Sequence, residues 1–120
     1  IILMSDFSIY HNPRCSKSRQ TLALLKEQGI DPEVILYLDT PLKPVQLKAV
    51  LAKLAISPRE LLRKGEGDYK EQGLADKNLT DAYLIKMMCQ FPKLIERPIV
   101  VKGNKAVLGR PPENALALIK

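Results

Sequence analysis

The 120-residue sequence contains no tryptophan, one histidine, two phenylalanines and two cysteines. Each shortage removes a class of protein. One histidine, His11, and two cysteines far apart in the chain, Cys15 and Cys89, cannot supply a zinc site of the usual ligand spacing. Two cysteines are also too few for a secreted disulfide scaffold, so free thiols in a reducing cytoplasm are expected. Apolar runs are only a few residues long, far short of a membrane span. The opening stretch, IILMSDFSIY, lacks the cationic flank and long apolar segment of a secretion signal, and Ile1 to Leu3, ahead of Met4, read as additions to the natural start. The formal charge of +6 suggests an anionic partner. Nucleic acid is disfavoured, because there is no long basic block and no interleaving of aromatic with basic residues.

What the chain does have is 46% apolar residues, enough for an ordinary core, and a length that fits a single domain over residues 1–120. Phe7 to Tyr10 (FSIY) reads as a short strand that stops at the Asn12-Pro13 turn signal. A helix is predicted from about Ser16 to Gln28, with Leu22 and Leu25 on its apolar side and Gly29 at its stop. Glu33 to Leu38 (EVILYL) reads as a second strand, apolar on both faces and therefore central. These pieces make a β-α-β unit with parallel pairing. Leu47, Val50, Leu51 and Leu54 then recur at helical spacing behind Pro44. Ser57 to Glu60 carries the Ser-x-x-Glu pattern of a capping box, with Pro58 at the first helical position. KGEGDYKEQG, residues 64–73, reads as an exposed loop. Thr80 caps a further helix with a stripe of Leu84, Ile85 and Met88, ended by Pro92. PIVVK and KAVLG, joined by Gly103-Asn104, form a hairpin with a type II′ turn, and PPENALALIK closes the chain as a helix. The expected class is α/β, a four-stranded mixed sheet (β-α-β, then β-β-α) with a helical insertion over about 42–92.

One stretch carries chemistry: YHNPRCSKSR, residues 10–19. A thiol must lose its proton before it attacks, and a free cysteine is only a few per cent thiolate at neutral pH. Cys15 falls where the predicted helix begins. A helix N-terminus carries about half a positive charge and several unpaired N–H groups. Arg14, Lys17 and Arg19 lie within four positions of Cys15, and His11 lies four before it. Each favours thiolate over thiol, and the same N–H groups suit a bound oxyanion. The bland alternative is a small residue at a turn beside a solvated helix end. His11 reads either as a satisfied loop histidine or as a group that tunes the thiol. Ser16 and Ser18 are placed either to donate to the sulfur or to cap the helix.

Three arginines sit beside local breaks in structure: Arg63 in LLRKGE, Arg97 in IERPIVV and Arg110 in VLGRPPE. Arg97 and Arg110 fall near strand ends, from which they could face the turn that carries Cys15. The planar guanidinium fork grips tetrahedral oxyanions in a bidentate way that lysine cannot match. The alternative for each is a solvated surface arginine.

Taken in order, H-N-P-x-C-x-x-S-R, VILYLDTP, LLRK, LTD before a helix, RPIVV and the terminal RP resemble the glutaredoxin-coupled arsenate reductases of the ArsC type, from about Ser8 to the end. The resemblance implies a thioredoxin-like sheet with a helical insertion. It implies Cys15 as the catalytic cysteine, Arg63, Arg97 and Arg110 as oxyanion-binding arginines, and His11 as the histidine before the cysteine. Pro98 is the implied cis proline facing the thiol; X-Pro bonds have only a small trans preference. Ser16, Lys17, Ser18 and Arg19 complete the loop that supports the thiolate. Two features depart from the family pattern. Ser16-Lys17 stands where the well-known arsenate reductases have Gly-Thr, and Ser18 leaves no Cys-x-x-Cys, which excludes a disulfide with a near neighbour.

The implied activity is reduction of arsenate to arsenite, in arsenic resistance, by a cytoplasmic monomer with no bound cofactor and no metal. Glutathione is the implied co-substrate and glutaredoxin the implied partner; neither nucleic acid nor membrane is expected. Cys89, in LIKMMCQF, reads as a core residue; it could resolve Cys15 only if their Cα atoms came within about 7 Å. Two alternatives stay open. A glutathione-dependent thiol oxidoreductase needs the reactive cysteine but not three arginines. A non-catalytic Spx-like transcriptional regulator binds RNA polymerase, and such relatives commonly carry the Cys-x-x-Cys that is missing here. A phosphatase-like loop needs an arginine after five intervening residues, whereas Arg19 follows Cys15 after three.

Overall fold

The computed structural model describes residues 6–119; the expectations for Ile1 to Leu3 and for the opening stretch before Asp6 lie outside them. The described residues form two compact units, 6–40 with 97–119, and 41–96. The insertion read from sequence, about 42–92, falls inside the second.

The first unit is built on a four-stranded sheet: β1 (Phe7–Tyr10), β2 (Glu33–Ile35), β3 (Ile99–Lys102) and β4 (Lys105–Leu108), in the order β2-β1-β3-β4. β2 runs parallel to β1, with Ser8 opposite Glu33 and Tyr10 opposite Ile35. β3 is antiparallel to β1, pairing Phe7 with Lys102 and Tyr10 with Ile99, and β4 is antiparallel to β3. This mixed sheet with its helices is the thioredoxin-like arrangement. Helix α1 (Ser16–Glu27) links β1 to β2, and a 3-10 helix over Pro112–Leu118 follows β4. Phe7, Ile9, Leu25, Val100, Ala115 and Leu118 are buried together, and Leu22, Ile30, Val107 and Ile119 pack on them. The hairpin turn has Lys102 opposite Lys105, and Gly103 takes φ +58 while Asn104 does not take a positive φ. Only the first central residue therefore needs the left-handed region, as a type II′ turn requires.

Two expectations need correction. The second strand ends at Ile35 rather than Leu38, and it is an edge strand, not a central one. The apolar run misleads because it alternates: Val34 and Leu36 face solvent while Tyr37 is fully buried. After Ile35 the amides of Asp39 and Thr40 turn back to the Leu36 carbonyl, which ends the ladder. The interior strands are β1 and β3, and β3 is the one whose Ile99, Val100 and Val101 are all buried.

The second unit is helical. Helix α2 (Pro44–Leu54) buries Leu47, Val50 and Leu51. Helix α3 (Pro58–Leu61) opens on a complete capping box: the Glu60 amide donates to Ser57 Oγ at 3.3 Å, and the Ser57 amide donates to Glu60 Oε1 at 3.0 Å. The second correction is helix α4 (Gly67–Glu71), which forms inside the stretch read as a loop. None of its residues is buried, so it leaves no apolar period to read. It is held from its C-terminal side, where Leu74 is fully buried and the Arg59 guanidinium donates to the carbonyls of Leu74 and Asp76. Helix α5 (Asp81–Gln90) is capped by Thr80, whose Oγ1 accepts from the Tyr83 amide, and it buries Leu84, Ile85, Met87 and Met88 while packing on α2 and α3. A 3-10 turn over Pro92–Leu94 leads to a bridge between Ile95 and Leu62. Among the described residues no helix is long and apolar enough to cross a membrane.

Leu25→Ala removes a fully buried side chain of the first core and is expected to lower unfolding free energy by about 2–5 kcal/mol in urea denaturation. Val45→Ala, at an exposed position of α2, is expected to change it by no more than about 0.5 kcal/mol.

Candidate active site

Cys15 is the N-cap of α1, with extended backbone (φ −95°, ψ 122°). The turn that delivers it is bonded throughout. The Asn12 side chain accepts from the Arg14 amide at 3.0 Å, and the Asn12 carbonyl accepts from the Cys15 amide at 3.0 Å. The Cys15 carbonyl accepts from the Arg19 amide, the first bond of the helix. Ser18 is fully buried; its Oγ accepts from the Asn12 amide at 3.0 Å and lies 2.6 Å from His11 Nδ1. The His11 amide extends the β1-β2 ladder by donating to the Ile35 carbonyl.

His11 is buried, and burial lowers its pKa, with the charges of Arg19 and Lys26 acting in the same direction. It is therefore neutral at neutral pH and lends the thiol no positive charge. Of the two roles open to Ser18, it takes neither capping nor donation to sulfur through its side chain, which is engaged by His11 and Asn12. Ser16 is exposed and Lys17 half-buried.

The Cys15 thiol is nevertheless shifted toward the anion. Partial burial pushes its pKa up, but that is outweighed by the Ser18 amide, by a hydrogen bond and the charge of Arg97, and by the Lys17 amide. The two amides approach the sulfur from the first turn without closing a capping bond of standard length. Arg110 completes the group: its Nη1 lies 3.9 Å from Cys15 Sγ and 3.3 Å from the Arg97 carbonyl. Both arginines precede cis prolines, Arg97-Pro98 and Arg110-Pro111. Two of the cations next in sequence face elsewhere. Arg19 donates to the Pro13 carbonyl at 2.8 Å and depresses His11, and Arg14 is exposed. The expectation that the charges of neighbouring cations ready the thiol is thus corrected: the first-turn amides of Ser18 and Lys17 and the distant Arg97 do it, with Arg110 beside the sulfur.

Arg63 belongs to the second unit. Its Nε lies 3.4 Å from Glu66 Oε2 and its Nη1 2.5 Å from Glu96 Oε1, so two carboxylates face its guanidinium there. Cys89, also in the second unit, is a half-buried free thiol rather than a core residue, and burial raises its pKa. Among the described residues no group of three or more His, Cys, Asp or Glu could hold a metal ion.

Two residues around the site escape the sequence reading. Gly109 is buried between α1 and Pro98, and Thr21 is fully buried against it. The only trace of this in the sequence is a glycine directly before Arg110, in a chain with six glycines.

A sheet of this order with a thiol at the start of its first helix places the molecule in the thioredoxin-like class. Within that class, the ArsC family matches residues 10–118, and the chain belongs to that family. It is 55% identical over 118 residues to the uncharacterized protein YfgD of Escherichia coli K12, covering 98% of this chain and 99% of that one. It is 46% identical over 117 residues to an arsenate reductase of Neisseria meningitidis serogroup A, covering 97% and 100%. Among solved structures, the arsenate reductase from Vibrio cholerae superposes with a TM-score of 0.91 at 50% identity, over 92% of this chain and 95% of that one.

The direction of the Cys15 shift gives an alkylation test. A lowered pKa means the thiolate persists below the ordinary thiol range, so iodoacetamide should label Cys15 at neutral pH well ahead of Cys89. Labelling should fall as pH drops through a midpoint below that of a free thiol. Arg97→Gln should move that midpoint up and leave Cys89 unchanged; peptide mass mapping after timed quenching reads both.

Proposed function

We propose that this chain is an arsenate reductase, with Cys15 as nucleophile, glutathione as co-substrate and glutaredoxin as the protein that regenerates the enzyme. The observation that carries the reading is the convergence of Arg97 and Arg110, which flank the open end of one hairpin, on a thiol at a helix N-terminus. Similarity to proteins named arsenate reductase supports the choice of oxyanion.

In this scheme the two guanidinium groups and the first-turn amides hold the arsenate oxygens while charge develops on them, which is commonly the largest contribution to such catalysis. The Cys15 thiolate forms a sulfur–arsenic(V) bond, and one arsenate oxygen leaves as water after protonation. A glutathione thiolate then attacks the arsenic, and a second oxygen leaves as water. Both sulfur–arsenic bonds then break as the two sulfurs join: their two electrons take arsenic(V) to arsenic(III), which takes up water and departs as arsenite, and the sulfurs end as a disulfide between Cys15 and glutathione. Glutaredoxin breaks that disulfide by thiol exchange and restores Cys15. Ser18 leaves no second cysteine in the loop, so the external thiol is integral to the scheme. His11, buried and neutral, acts by fixing Ser18 rather than by moving protons. Arg63 is assigned to oxyanion binding on the family resemblance, and Pro98, Ser16, Lys17 and Arg19 to shaping the loop. The setting is a reducing cytoplasm and the working form a monomer, with a role in arsenic resistance.

Purified protein supplied with arsenate, glutathione and glutaredoxin is expected to release arsenite. Cys15→Ser should abolish turnover and Cys89→Ser should leave it near wild type. Arg110→Ala should raise KM for arsenate and lower kcat. No turnover by the wild type at any arsenate concentration, alongside exchange of glutathione mixed disulfides, assigns the chain to general thiol oxidoreductase chemistry instead.

A further inference from the structure

We propose that Thr21 and Gly109 are positioning residues for the Cys15 thiolate, a clasp that ties the helix amides and the Arg110 strand end to the same sulfur. Thr21 Oγ1 lies 2.8 Å from the Lys17 carbonyl and 3.2 Å from the Gly109 carbonyl. The Lys17 carbonyl and the Ser18 amide are the two ends of one peptide group. That amide faces the sulfur, so the Thr21 hydroxyl grips the far end of the dipole that meets the thiolate. Donation to the carbonyl end also polarises the N–H end, because hydrogen bonds in series strengthen one another.

The other side of the clasp is Gly109. Its amide donates to the Pro98 carbonyl at 2.9 Å, and its carbonyl takes the longer arm of the one Thr21 hydroxyl proton shared with Lys17, so one residue is tied both to α1 and to the start of β3. The next residue, Arg110, reaches Cys15 Sγ and the Arg97 carbonyl. The approach leaves no room for a side chain. A Cβ at position 109 would lie 2.6 Å from Thr21 Oγ1, 2.8 Å from Pro98 Cγ and 2.9 Å from Thr21 Cγ2. Glycine is needed here for closeness alone. A wider gap would carry Arg110 away from the sulfur while leaving the sheet intact. The assignment deepens the reading of Cys15 as nucleophile, but its readout needs no arsenate, so failed arsenate turnover would leave it standing.

The test is alkylation of Cys15 across pH 5–9 in the full chain. Thr21→Val keeps the shape and removes the hydroxyl; Lys17 keeps its helical partner, so the fold is expected to survive. Alkylation at pH 6 should slow about twofold, the factor matching the weak end of one hydrogen bond. Thr21→Ser should restore the wild-type profile. Gly109→Ala should shift the profile further in the same direction and, in the enzyme assay, raise KM for the oxyanion. A Thr21→Val profile that overlays wild type, even with a lower melting temperature, overturns the proposal, because the hydroxyl is then structural only. So does a Thr21→Ser protein as slow as Thr21→Val.

Discussion

A sulfur anion in a half-buried site must be met by positive charge, and almost everything placed around Cys15 answers that demand. Burial alone works against the thiolate. The opposing pull comes from two amides of the first helical turn and from the Arg97 guanidinium, beside which Arg110, 95 positions from the cysteine, also approaches the sulfur. Neither source survives unfolding. The reactive thiol is therefore a property of the tertiary structure, even though its loop is one of the most recognisable stretches in the sequence.

That loop is stiffened by polar groups that are buried and satisfied. His11, Asn12 and Ser18 are withdrawn from water and bonded to one another, so none is left as an uncompensated buried dipole. A preorganised site of this kind loses little reorganisation energy when a charged ligand arrives. The short edge strand fits the same plan. β2 needs only enough length to receive the His11 amide and anchor the start of the turn.

Much of this was legible in the chain before folding. FSIY, the Gly103-Asn104 hairpin, the Ser57–Glu60 box and the Thr80 cap rest on local signals that tertiary contacts did not overrule. The placement of Cys15 at a helix start, and of Arg97 and Arg110 near strand ends, came from the same local reading. What was hidden shares one physical cause: packing that leaves no period. The helical turn at Gly67–Glu71 buries nothing of its own. EVILYL looked doubly apolar because Val34 and Leu36 are apolar residues left facing water. Charge proximity along the chain also misled, since Arg19 turns to Pro13 while the groups that reach the sulfur are remote. Thr21 and Gly109 could not be paired, because 88 positions separate them and neither residue type advertises the contact.

The β3-β4 hairpin has its two arginines just beyond one end and its tight turn at the other. Ile99 opposite Leu108 marks the arginine end, and Lys102 opposite Lys105 marks the turn. Length is thus tolerated unequally along it. Residues added between 102 and 105 extend a surface tip and preserve every rung below, so this is where a tag or a grafted peptide can be accommodated. One residue slipped into either strand reverses the facing of all that follows, and the two arginines no longer converge on Cys15.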